Sequence, residues 1–160
     1  MAHVRTAERS PERLGSFVSR YGYSIFCDDV RHGEGDKLDF IGCYNGVMLV
    51  EQALPVTLRR FCVHAHFVSP AAEPFDMLSL RVYEPGTDHV IFEEPLDIGR
   101  PADPHVPIRD RFGAPRLIVA AATIMFTPLY VEQAGLLRVR AVVDDDPAEV
   151  PLGSLFIRRA

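Results

Sequence analysis

The chain has 160 residues, 48% of them hydrophobic, and a formal net charge of −5 with a pI near 5.6. That is enough apolar material for one real core, and the composition is globular rather than disordered. The acidic balance argues against nonspecific nucleic-acid binding, which needs a cationic surface to displace phosphate counterions. The longest apolar run, Leu117–Phe126, is ten residues and too short to span a bilayer as a helix.

The first ten residues are polar, with Arg5, Glu8 and Arg9, and read as an arm. No apolar core of a signal peptide appears there, so a soluble, cytoplasmic protein is expected. Ser10-Pro11-Glu12 is a helix start: a capping hydroxyl, a proline suited to the first turn, and a carboxylate at the positive end of the dipole. Leu14, Phe17 and Val18 then form one apolar stripe, and Gly22 is expected to stop the helix. A helix this short does not stand alone in water, so its stripe must dock on the rest of the chain or on another subunit. The expected division is residues 1–22 as arm and short helix and residues 23–160 as a β domain.

Tyr23–Tyr44 is the stretch on which the rest of the domain should pack. Apolar runs Tyr23–Val30 and Leu38–Tyr44 flank a glycine-rich polar link, which predicts a hairpin. Asn45-Gly46 signals a turn before Val47–Val50, and Pro55 breaks the chain. Phe61–Val68 alternates strictly. Phe61, Val63, Ala65 and Phe67 share one face, and Cys62, His64, His66 and Val68 share the other. Strands follow at Leu78–Tyr83 and Val90–Phe92. Pro95–Pro115 holds five prolines and is read as a long loop, a crossover or a contact surface. Leu117–Phe126 is apolar on both faces and fits a strand covered on both sides, with a short buried helix as the alternative that periodicity leaves open. Leu136–Val143 and Val150–Ile157 complete the set, with Asp144–Asp146 as the turn between them. Strand–helix alternation is missing after residue 22, which predicts an antiparallel β-sandwich rather than a parallel α/β sheet.

The three cysteines, Cys27, Cys43 and Cys62, all lie within apolar runs and read as buried thiols in a reducing compartment. Cys27 and Cys43 sit on the two arms of the expected hairpin, so a bridge between them is the alternative.

Several clusters bear chemically capable side chains. His64-x-His66 can place two imidazoles on one strand face beside Cys62, but a third metal ligand is lacking, since Glu73 follows only after Pro70. Two exposed histidines on a sheet surface is the preferred reading. Asp28, Asp29, Asp36 and Asp39, with Asp144–Asp146, supply the carboxylate oxygens that calcium takes, yet they are split between turns. A structural hydrogen bond or an ion pair with Arg31 or another arginine is expected for one of the Asp28-Asp29 pair. His32–Lys37 lacks the glycine-lysine-serine order of a phosphate loop, and no nucleophile motif appears. The sequence therefore assigns no catalytic, cofactor or metal residue and favours a non-enzymatic structural or interaction module. A metal- or small-ligand-binding sandwich is the alternative. The expected contacts are protein partners or self-association through the N-terminal arm and the 95–115 loop, without nucleic acid or membrane.

The motif Cys27–Arg31, Lys37–Tyr44 (K-L-x-x-I-G-x-Y) and Pro55–Val63, with the final pair Gly135-Leu136 and Val150–Ile157, resembles a family of short bacterial and phage proteins known as a domain of unknown function. The resemblance covers most of residues 23–158. It implies an immunoglobulin-like or C2-like sandwich, carries over no active site, and makes a virion component one form the assembly would take.

Overall fold

The computed structural model describes residues 19–35, 37–96, 109 and 111–160. Among them are twelve strands and no helix. In chain order these are β1 (Tyr21–Cys27), β2 (Asp29–His32), β3 (Leu38–Ile41), β4 (Val47–Val50), β5 (Val56–Leu58), β6 (Phe61–Pro70), β7 (Leu78–Tyr83), β8 (Val90–Pro95), β9 (Leu117–Phe126), β10 (Leu129–Val131), β11 (Gly135–Val143) and β12 (Val150–Arg159). The expected helix and most of the proline-rich loop lie outside the described residues.

Two larger sheets, with the two-stranded β10-β5 sheet contributing Val56, Leu129 and Val131, enclose the main core. A three-stranded antiparallel sheet runs β1-β6-β9, and a five-stranded sheet runs β4-β12-β11-β7-β8. The expected all-β class is what the chain adopts, with one departure: β4 runs parallel to β12. Alternation builds the core. Phe61, Val63, Ala65 and Phe67 of β6 face inward with Leu78, Leu80 and Val82 of β7, Leu137 and Val139 of β11, and Leu152, Leu155 and Ile157 of β12. Phe61 is fully buried, with Phe26, Tyr44 and Phe126 around it at ring-centroid distances of 6.4, 6.2 and 6.4 Å.

The expected hairpin divides in two. The ladder between its arms is confined to β2 and β3, with the Asp28 N–H donating to the Ile41 carbonyl at 2.9 Å and the Tyr44 N–H to the Phe26 carbonyl at 2.8 Å beyond it, while Tyr21–Cys27 pairs with β6, placing Cys27 opposite Cys62. Asp28 marks the break. Its carboxylate accepts a hydrogen bond from the Tyr44 hydroxyl and occupies the space beside Gly42 that a Cβ would fill. Burial and that carboxylate hold the Tyr44 phenol well above its usual pKa. The sheet also begins before Tyr23: Gly22 lies within β1 opposite Phe67 and does not stop the chain. A side chain there would collide with the His66 carbonyl and Leu152.

The outer face of the five-stranded sheet carries ion pairs around β7, β8 and β11 beside an exposed apolar row, Leu136–Phe156–Val47. Arg81 bridges Glu93 at 2.8 Å and Glu149 at 2.9 Å, the Tyr83 hydroxyl donates to Glu149 at 2.6 Å, and Arg138 lies 2.6 Å from Asp88.

Candidate functional site: the outer face and edge of the three-stranded sheet

The other outer face has no ion pairs within its rows. Residues directly opposite in an antiparallel sheet share a face, so the register defines its rows across β1, β6 and β9. They are Tyr21–Val68–Val119, Tyr23–His66–Ala121, Ile25–His64–Thr123 and Cys27–Cys62–Met125. No carboxylate, lysine or arginine belongs to any row. Tyr23 is 50% exposed and Val119 60%.

The β2–β3 hairpin closes one end of this face. Val30, with Leu38 and Phe40 beside it, packs on Cys27 and Cys62. Burial raises both thiols, Cys27 to about 12, so neither is a thiolate nucleophile at neutral pH. The alternative of a Cys27–Cys43 bridge is not realised. All three cysteines are free; Cys27 and Cys62 are the buried thiols expected and lie opposite each other, while Cys43 is exposed.

An aromatic ladder runs from the closed end into the open one. Phe40 tilts against His64 at 5.1 Å, His64 meets His66 edge-on at 4.6 Å, and His66 stacks on Tyr23 at 4.5 Å with planes 10° apart. The histidines are thus not the exposed pair expected from the alternation. His64 is 5% exposed, and its Nδ1 lies 2.8 Å from the Thr123 hydroxyl. Burial lowers the pKa of both rings, and for His64 the neighbouring His66 lowers it further, so both are neutral at neutral pH. Among the described residues no three side chains of His, Cys, Asp or Glu converge to hold a metal ion. A groove of about 450 Å³ opens beside the ladder, lined by His32, Leu38, His64, Ala121, Ala122 and Thr123.

The acidic residues serve as structural acceptors. Asp29 takes Arg60 at 3.1 Å and Arg31 at 3.5 Å, the expected arginine pairing. Asp144 Oδ1 accepts the backbone N–H groups of Asp76 and Met77 at 2.8 and 2.9 Å, which lowers its pKa. Asp36 lies outside the described residues.

β9 is the element whose setting differs most from expectation. The run is a strand, but it is covered on one face only and stands at the sheet edge. Leu117, Val119 and Met125 are exposed, while Ile118, Ala120 and Ala122 lean on the core. Tyr21, Tyr23 and Val119 were therefore not found as surface residues. An uncharged run reads alike whether its second face meets its own chain or is left open, so the sequence held no signal for it.

Neither a family model, nor a curated protein, nor a solved structure matches the chain.

Proposed function

We propose that this protein is a non-enzymatic β-sandwich interaction module that self-associates, as one subunit of a larger homomeric assembly. The observation that carries the reading is the three-stranded sheet, whose outer face bears no formal charge and whose long edge strand, β9, is equally uncharged. The opposite face of the molecule also exposes Val47, Leu49, Leu136 and Phe156, but it is laced with ion pairs, so what sets the three-stranded sheet apart is the lack of charge in its rows. A contiguous exposed apolar patch is characteristic of a protein contact surface. Neutral histidines and tyrosines suit such a surface, being amphipathic and cheap to desolvate. The immunoglobulin-like or C2-like form of the sandwich, and a virion setting for the assembly, belong to this proposal through the hairpin resemblance alone.

Light scattering on the full chain tests it. The expected mass is a multiple of 17.9 kDa, falling to a single chain in the Tyr23→Lys/Val119→Lys variant, with the circular dichroism spectrum unchanged. A single-chain mass for the unaltered protein at about 100 µM, a concentration that populates even weak dimers, refutes self-association.

A further inference from the structure

Backbone geometry says more about how two copies would meet. Ala71 N–H donates to the Arg116 carbonyl at 2.8 Å, and β6 and β9 stay in one continuous register from there to Phe126. Successive residues of a strand turn their N–H and C=O groups to opposite sides. Ile118, Ala120, Ala122, Ile124 and Phe126 therefore bond to β6, while Leu117, Val119, Ala121, Thr123 and Met125 turn theirs to the other side, where no described strand pairs and the nearest described bridge is Arg109 to Pro115, before the strand begins.

Natural edge strands are shielded by charge, proline, bulges or shortness. Among the described residues, the other edges of the two larger sheets follow that rule. β8 carries Glu93, Glu94 and Pro95 and a register shift against β7; β4 has four residues. β1 is shielded by β12, with Leu152 packed against Gly22. β9 has ten residues, no charge, no proline and no bulge. It is the one long edge strand among the described residues built to accept a partner.

We propose that two copies pair antiparallel along β9, about a two-fold axis at Ala121, joining their three-stranded sheets into one of six strands. The occupant follows from self-complementarity. Outward groups span Leu117 to Met125, and Ala121 is their midpoint, so this register alone engages all of them on both chains. It sets Ala121 against itself, Val119 against Thr123 of the second copy, and Leu117 against Met125 of the second copy. Outer-face residues meet outer-face residues, as pleating requires. On the inner face, Ile118 meets Ile124 of the second copy and Ala120 meets Ala122 of the second copy. Side chains that are only half-covered at the open edge are thereby closed over. Alanines at the axis let the backbones approach without a side-chain clash.

This inference rests on the self-association proposed above, and its test separates the two. Single cysteines at 117, 119 and 121 are placed in a Cys43→Ser chain and oxidised, and amide hydrogen exchange is followed on the unaltered full chain. A hydrogen-bonded antiparallel pair holds its Cα atoms about 5.5 Å apart, within disulfide reach. Ala121→Cys should cross-link to a dimer at least tenfold faster than Leu117→Cys or Val119→Cys. The Val119, Ala121 and Thr123 amides should exchange slowly at high protein concentration and fast on dilution. A dimer that cross-links best elsewhere, or whose β9 amides exchange fast throughout, overturns the β9 pairing and leaves self-association standing. A monomer overturns both. A monomer with slow β9 amides would show the edge occupied by the chain's own residues, and that also overturns the pairing.

Discussion

Phe61 is where β6 enters the core, and its replacement tests the packing of the two sheets. The side chain is fully buried, and three aromatic rings surround it within 6.4 Å. Truncating a buried phenylalanine to alanine costs about 3–5 kcal/mol, as lost transfer energy plus the cavity left behind. The neighbours here are rings on β1, on β9 and at Tyr44, each held by its own strand or hydrogen bond, so collapse into the void is restricted. The upper part of that range, about 4–5 kcal/mol, is expected for Phe61→Ala. Against a total stability of about 5–15 kcal/mol this is a large fraction. For a domain of this size it corresponds to a drop in Tm of roughly 10–15 °C. Phe61→Leu keeps most of the volume and should lose about 1.5 kcal/mol or less. The chain has no tryptophan, so urea unfolding is followed by far-UV circular dichroism, with a lowered midpoint and an unchanged slope expected. A loss below about 1.5 kcal/mol for Phe61→Ala would show that the ring is not enclosed in this way, and would undo the two-sheet core.

Acid should weaken the fold through His64 and His66. Their folded-state pKa values lie below the ordinary 6.5, so the unfolded chain takes up protons first. The penalty is absent above about pH 6.5 and grows as pH falls from there toward the folded values. Melting temperatures between pH 7.5 and pH 5 should fall more steeply for the unaltered chain than for His64→Phe/His66→Phe; equal slopes would refute the assignment. At the turn after β11, Asp144 holds two backbone N–H groups and has a φ of 52°. Asp144→Ala loses both hydrogen bonds and strains the left-handed backbone, costing about 1–2 kcal/mol for the conformation alone. Asp144→Asn keeps an acceptor oxygen and tolerates that φ, so it should lose clearly less in the same unfolding assay.

The sequence by itself determined the longer strands and their inward faces, but not the short β5 and β10. The period-two alternation of Phe61–Phe67 and of Leu137–Val143 is a local property, and a strand with one apolar face has one place to put it. Asp29 with its arginines was likewise legible, because a carboxylate near a core finds a cation or a hydrogen-bond donor. Only the tertiary structure decided which strands pair. Tyr23–Cys27 and Leu38–Tyr44 look like two arms of one hairpin, yet a turn at Asp28 sends the first to β6, where Phe26 reaches the common core and Cys27 meets Cys62. His64 and His66 read as surface residues for the same reason. Alternation tells which residues share a face, but not that a hairpin from elsewhere in the chain will fold over it. β9 is the sharpest case. An uncharged ten-residue run is equally at home in the middle of a sheet and at an edge awaiting a partner. The choice depends on how many strands the rest of the chain supplies to each side, which is a property of topology and not of any local pattern.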